Sequence, residues 1–203
     1  MSQIALPIDA RSPGEPARIV IGNANRPVVD ALADPSSWPY RTAVLVGPPR
    51  SGKSLLAQWF ASHGDCDVID RAETMEETAL FHRWNRAQQS GQPLLLISDA
   101  DGWEIALPDL RSRLGGSLQL AIGIPDDAMV QDLIEAHAEQ RRLVLADGAA
   151  SYLAPRVERS FAVIERLVAE IDRLSLERQV PATMSVWRDA LEVVQGPEQA
   201  RLL

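Results

Sequence analysis

The stretch Gly47-Pro48-Pro49-Arg50-Ser51-Gly52-Lys53-Ser54 puts glycine at its first and sixth places and closes on lysine and serine. Each residue type has a physical job at that spacing. Glycine lets the backbone turn tightly and bring its N–H groups up to an anion. Lysine adds a compact cation, and the hydroxyl that follows can ligate a hard divalent metal. The chemistry served is the cradling of a polyphosphate together with Mg2+. The expected contact set is Gly47, Pro48, Pro49, Arg50, Ser51, Gly52, Lys53, Ser54 and Leu55, holding ADP or ATP, with Ser54 on the metal. The competing reading is a chance match on a turn, and one count opposes it: of 20 basic residues, Lys53 is the sole lysine. A general drift toward arginine accounts for the others but not for where lysine survives. A planar guanidinium substitutes poorly for a point charge on crowded phosphates.

A phosphate loop that uses a metal needs an acidic partner at a nearby strand end. Asp70 closes the short apolar run 66–70, and Asp99 follows the run 93–98. Asp70 is preferred, because a helix and a further strand with a polar end still follow it; Asp99 is the rival. Ser98 is the polar residue that ends that further strand.

The elements that must position these residues follow from periodicity. Thr42-Ala-Val-Leu-Val46 is a short β-branched run bounded by turn residues, as a buried strand should be, and the loop residues lead into a helix over 54–62. Runs at 66–70, 93–98 and 117–123 read as further strands. A helix over 75–90 separates two of them, with Leu80, Phe81 and Trp84 on one face and Gly91 as its stop. Asn25 is placed to cap a short helix that begins near Pro27. Beyond Pro125 the pattern is helical only: Asp126 and Asp127 open a helix to about 142, and others cover 148–155, 158–178 and 184–194. The expected fold is α/β, a P-loop core with a parallel sheet of about four strands followed by a small all-helical lobe. The division expected is a flexible tail at 1–16, the core at 17–124 and the helical lobe at 125–203.

The formal net charge of −8 opposes a large phosphate-backbone interface, which disfavours a dedicated nucleic-acid reader. Cys66 is the single cysteine, so no internal disulfide forms. The N-terminus lacks a secretory pattern, and no apolar stretch approaches the length needed to span a bilayer, so a cytoplasmic location is expected.

The order of GPPRSGKS, VID, ALFHRWNRAQQSG, PLLLIS, LPDLRSRL, IGIPDDAMVQDLI and VERSFAVIERLVAEIDRLS resembles the AAA+ ATPases related to the replication initiator DnaA, and among them the regulatory Hda family. The resemblance implies a role as a negative regulator of replication initiation that promotes hydrolysis of DnaA-bound ATP. It implies that Arg113 is an arginine finger acting in trans, with a surface ion pair to Asp109 as the competing role. Arg159 would be the sensor arginine of the lid. Gln3, Ile4, Ala5, Leu6 and Pro7 would bind the sliding clamp. The partners implied are the clamp and DnaA, with a homodimer as a further option. The strand order implied is the fourth, first, third and second of the strands near 117–123, 42–46, 93–98 and 66–70.

Departures matter as well. Arg71 follows Asp70 where this family carries a second acid, so slow intrinsic hydrolysis is expected. The resemblance makes Ser98 the polar strand-end sensor, although Ile97 stands where the family more usually has a threonine. The interval from Lys53 to Asp70 is too short for an extra strand and helix. No C-terminal helix-turn-helix follows, so sequence-specific DNA binding is not expected. The alternative function is a free-standing P-loop ATPase or small-molecule kinase.

Overall fold

The structure is a computed structural model that describes residues 6–7, 18–99 and 103–196. In chain order the strands are β1 (Leu6–Pro7), β2 (Arg18–Ile19), β3 (Thr42–Val46), β4 (Asp67–Ile69), β5 (Leu94–Ser98) and β6 (Leu118–Ala121). The α-helices are α1 (Arg26–Ala33), α2 (Lys53–Ser62), α3 (Glu77–Ser90), α4 (Pro108–Gly115), α5 (Asp127–Arg141), α6 (Ala149–Leu153), α7 (Phe161–Arg178) and α8 (Met184–Gln195). Two compact units result: Asn25–Gly123, and the described residues on either side of it.

The first unit is built on a four-stranded sheet, β4-β5-β3-β6, in which every pairing is parallel. Its number of strands and its order agree with the sequence reading. Every side chain of β5 is buried, as is all of β3 but its last residue. That burial on both faces is what a central parallel strand covered by helices requires, and it explains the unbroken apolar runs. Between Lys53 and Asp70 the chain forms α2 and a short turn before β4, so among the described residues no outer strand lies beyond β4.

Helix α3 opens with Glu76, whose carboxylate accepts from the amides of Thr78 and Ala79. It stops at Gly91, whose φ of 72° suits a residue without Cβ. Its buried stripe is Leu80, Trp84 and Ala87, with Phe81 half-buried beside it, packing with Val44, Leu96, Leu110 and Leu114. Asn25 stands at the N-cap of α1, yet its side chain makes no capping hydrogen bond. Pro27 in that first turn has already removed one orphan donor.

The second unit buries Ile134, Leu153, Ile164, Leu167, Val168, Ile171 and Trp187 in one cluster. Helix α7 begins at Phe161, three residues later than the sequence suggests. The Ser160 amide donates to Glu158 O at 2.7 Å in a tight turn, which keeps 158–160 out of the helix. Leu6 and Pro7, read from sequence as part of an extended tail, pair antiparallel with Ile19 and Arg18. Among the described residues no helix is long and apolar enough to cross a membrane.

Candidate phosphate-binding site

The loop 47–52 joins the end of β3 to the start of α2, the arrangement in which backbone N–H groups and the helix dipole converge on an anion. Gly52, at φ 86°, makes the left-handed turn into the helix. Gly47 is required for closeness: a Cβ there would lie 2.9 Å from Ile122 Cβ and 3.3 Å from Ser51 Oγ. Arg50, at φ 63°, is exposed, as are Pro49 and Ser54, while Pro48 and Leu55 are half-buried. The Ser51 amide donates to Pro48 O at 3.3 Å, but Ser51 Oγ is buried without a hydrogen-bond partner among the described residues. An orphaned hydroxyl inside a glycine-bounded loop fits a site shaped for phosphate oxygens.

Lys53 is 5% exposed, and its ammonium curls back on its own loop, donating to Gly47 O at 2.8 Å and Pro48 O at 2.9 Å. Its third contact is Asp99 Oδ1, at 2.8 Å. One residue on, Ser54 Oγ donates to Asp70 Oδ2 at 2.7 Å, and the other oxygen of Asp70 accepts from the Arg71 amide at 2.9 Å. Arg71 itself takes φ 51°, the left-handed region, and is exposed. Two carboxylates therefore flank the loop with different partners, Asp70 on Ser54 and Asp99 on Lys53. Hydroxyl and carboxylate side by side are hard oxygen donors that fit Mg2+, which keeps most of its waters and asks for few protein ligands. Among the described residues no group of three or more His, Cys, Asp or Glu forms a protein-only metal cage. Ser98 ends β5 opposite Val46 and is wholly buried.

Arg113 does not pair with Asp109. Its Nη1 donates to Asn85 Oδ1 at 3.0 Å, and its guanidinium lies 4.7 Å from the Phe81 ring centre and 4.4 Å from that of Trp84. Helix α4, which carries it, is tied down by Glu77, whose two carboxylate oxygens accept from the Ala106 and Leu107 amides at 2.8 and 2.6 Å. Arg159 is exposed and pairs with Asp127 at 2.8 Å, both within the helical unit. Gln3, Ile4 and Ala5 lie outside the described residues, and Leu6 and Pro7 form β1.

Three contributors were missed in sequence: the link of Asp99 to Lys53, the shelf of Phe81, Trp84 and Asn85 under Arg113, and the clasp from Glu77. Only the aromatic pair left a trace, since Phe81 and Trp84 stand three apart on a predicted helix.

No protein-family model matches the chain. An uncharacterised protein of Haemophilus influenzae is 32% identical over 121 residues, which is 58% of this chain and 52% of that protein, so the chain spans about half the length of this curated relative. Among solved structures, domain III of the Thermotoga maritima replication initiation protein DnaA matches with a TM-score of 0.73 at 15% identity, covering 88% of this chain and 95% of that one. The Thermotoga maritima RuvB Holliday junction branch migration motor matches at 0.60 and 17% identity, over 87% of this chain and 72% of that one. A replication initiator DnaA bound to AMPPCP and single-stranded DNA matches at 0.59 and 17% identity, over 79% and 66%. At these identities the likeness is one of fold. With its parallel sheet, its loop between β3 and α2 and its helical unit, the chain has the fold seen in domain III of that DnaA and, at lower similarity, in RuvB.

Proposed function

We propose that the chain binds ADP or ATP with Mg2+ at residues 47–55 and acts as a regulatory AAA+ protein of the Hda type, a negative regulator of replication initiation. In this reading it docks on the sliding clamp through Gln3 to Pro7 and offers Arg113 to ATP held by DnaA, whose hydrolysis it promotes. The observation that carries the nucleotide half is Lys53, buried and folded back over a loop that opens a helix, beside the Ser54–Asp70 pair. A structural neighbour, a DnaA, is bound to AMPPCP.

Ser54 and Asp70 would hold the metal, which when bound neutralises phosphate charge. The chain's own groups do the rest. The first amides of α2 would receive the phosphates, Lys53 adds charge, and Arg159 is the proposed phosphate-sensing arginine of the helical unit. Arg71 in place of a second acid leaves no carboxylate there to orient water, so the chain's own turnover is slow. Arg113, by contrast, is a fixed guanidinium suited to charge developing on a partner's γ-phosphoryl group. The test is to mix the protein with ATP-loaded DnaA and DNA-loaded clamp and follow ADP appearing on DnaA. Stimulation that needs both clamp and Arg113 supports the proposal; turnover by the isolated chain at rates of an ordinary ATPase, with no effect on DnaA, would replace it with a free-standing ATPase.

A further inference from the structure

Lysine has three N–H donors and no acceptor. In Lys53 all three are accounted for, by Gly47 O at 2.8 Å, Pro48 O at 2.9 Å and Asp99 Oδ1 at 2.8 Å. A phosphate oxygen therefore reaches this ammonium only by displacing an acceptor. The two carbonyls are backbone groups of the loop itself and carry no net charge. Asp99 comes from the next strand and is 52% exposed, so its carboxylate can return to water at small cost.

We propose that Asp99 is the resident counter-ion of Lys53, that it competes with the phosphates of a nucleotide, and that it thereby sets the affinity of the loop. The proposal rests on the reading of this loop as a nucleotide site. It separates the two strand-end carboxylates by role. Ser54 Oγ is already served by Asp70 at 2.7 Å, so the metal-side pair is complete without Asp99. Burial supplies the reason for a counter-ion at all. An ammonium only 5% exposed is costly to leave unpaired, so an anion must stand beside it whether or not nucleotide is present. Asp99 fills that place in the empty loop, and phosphate replaces it in the filled one. Removing the carboxylate then has two effects of opposite sign. The empty protein loses an ion pair, and nucleotide loses both a competitor for Lys53 and a like charge beside its phosphates.

Asp99→Asn and Asp99→Ser are compared with wild type by calorimetric titration with ADP, once with Mg2+ and once in EDTA, and by thermal melting without nucleotide. Both variants should melt lower than wild type when empty and bind ADP about five- to tenfold tighter in both buffers, the scale of a modest charge–charge contact. In a Lys53→Ala background the gain should vanish. Weaker binding with Mg2+ and unchanged binding in EDTA would make Asp99 a metal-side ligand and overturn the assignment. Unchanged affinity in both buffers would also overturn it. No ADP binding by wild type or variants would sink the nucleotide reading and this inference with it, a result distinct from tight wild-type binding that Asp99 leaves untouched.

Discussion

Arg113 rides on α4 but is held by α3: its guanidinium sits 4.4 Å from the ring centre of Trp84, with Asn85 Oδ1 taking one of its hydrogen bonds at 3.0 Å. A guanidinium stacked on an aromatic face and bonded at one edge has lost most of its rotamer freedom before any partner arrives. Among the described residues its Nε and Nη2 donate to nothing, so a bidentate edge stays available. If Arg113 acts on a partner's nucleotide, the shelf is what positions it.

Arg113→Ala should therefore abolish most of the stimulated hydrolysis, since a finger contributes about 10³–10⁵ in rate in well-studied systems. Asn85→Ala and Phe81→Leu should lower the maximal stimulated rate while leaving the half-saturating concentration near wild type. A stimulation assay run on all three checks this. Unchanged stimulation by Arg113→Ala would reduce the shelf to packing.

Glu76 sets an acid-side signature on α3. Hydrogen bonds from the Thr78 and Ala79 amides hold its carboxyl below the ordinary glutamate range. A depressed folded pKa means that its contribution is present above the unfolded value and is lost as pH falls through the folded one. Glu76→Ala should melt lower than wild type at pH 7, and the two should converge as the pH is taken below the folded value. A gap that persists in strong acid would place the effect elsewhere.

Burial, with help from Asp65 and Asp67, pushes the Cys66 thiol above its usual value. Its thiolate fraction at pH 8 is correspondingly small. The pH–rate profile for alkylation by iodoacetamide should have its midpoint above that of free cysteine, and Asp67→Asn should bring it down. A midpoint below the free thiol would mean a cationic influence in place of the burial and the two aspartates that act on Cys66 among the described residues.

The sheet was readable because β3 and β5 are buried on both faces, and only continuous apolar residues satisfy that. The loop between β3 and α2 was readable because its signal is local, eight residues in a row. What escaped was through-space. Asp99 meets Lys53 because Val46 is in register with Ser98, which puts the first residue after β5 beside the first residue of the loop. No pattern within either segment encodes that register. Arg113 meeting Asn85 depends in the same way on how α4 is tethered by Glu77, 30 residues before Leu107. The start of α7 was misplaced because the 158–160 turn carries no glycine or proline to announce it.

The clamp contact is tested apart from the fold. Alanine at Gln3 and Leu6 should abolish binding to the sliding clamp in a pull-down. It should leave the melting temperature within a degree or two, because a two-residue ladder such as β1–β2 contributes little stability. Undiminished clamp binding would remove the pentapeptide from the account.

Everything proposed for the site depends on Lys53 meeting phosphate. The direct measurement is calorimetric titration of ADP with Mg2+ into wild type and Lys53→Ala, with far-UV circular dichroism showing both folded. The account predicts saturable binding by wild type and a loss of about tenfold to a hundredfold on removal of the buried, charge-bearing donor. Equal affinity in the two proteins would contradict it.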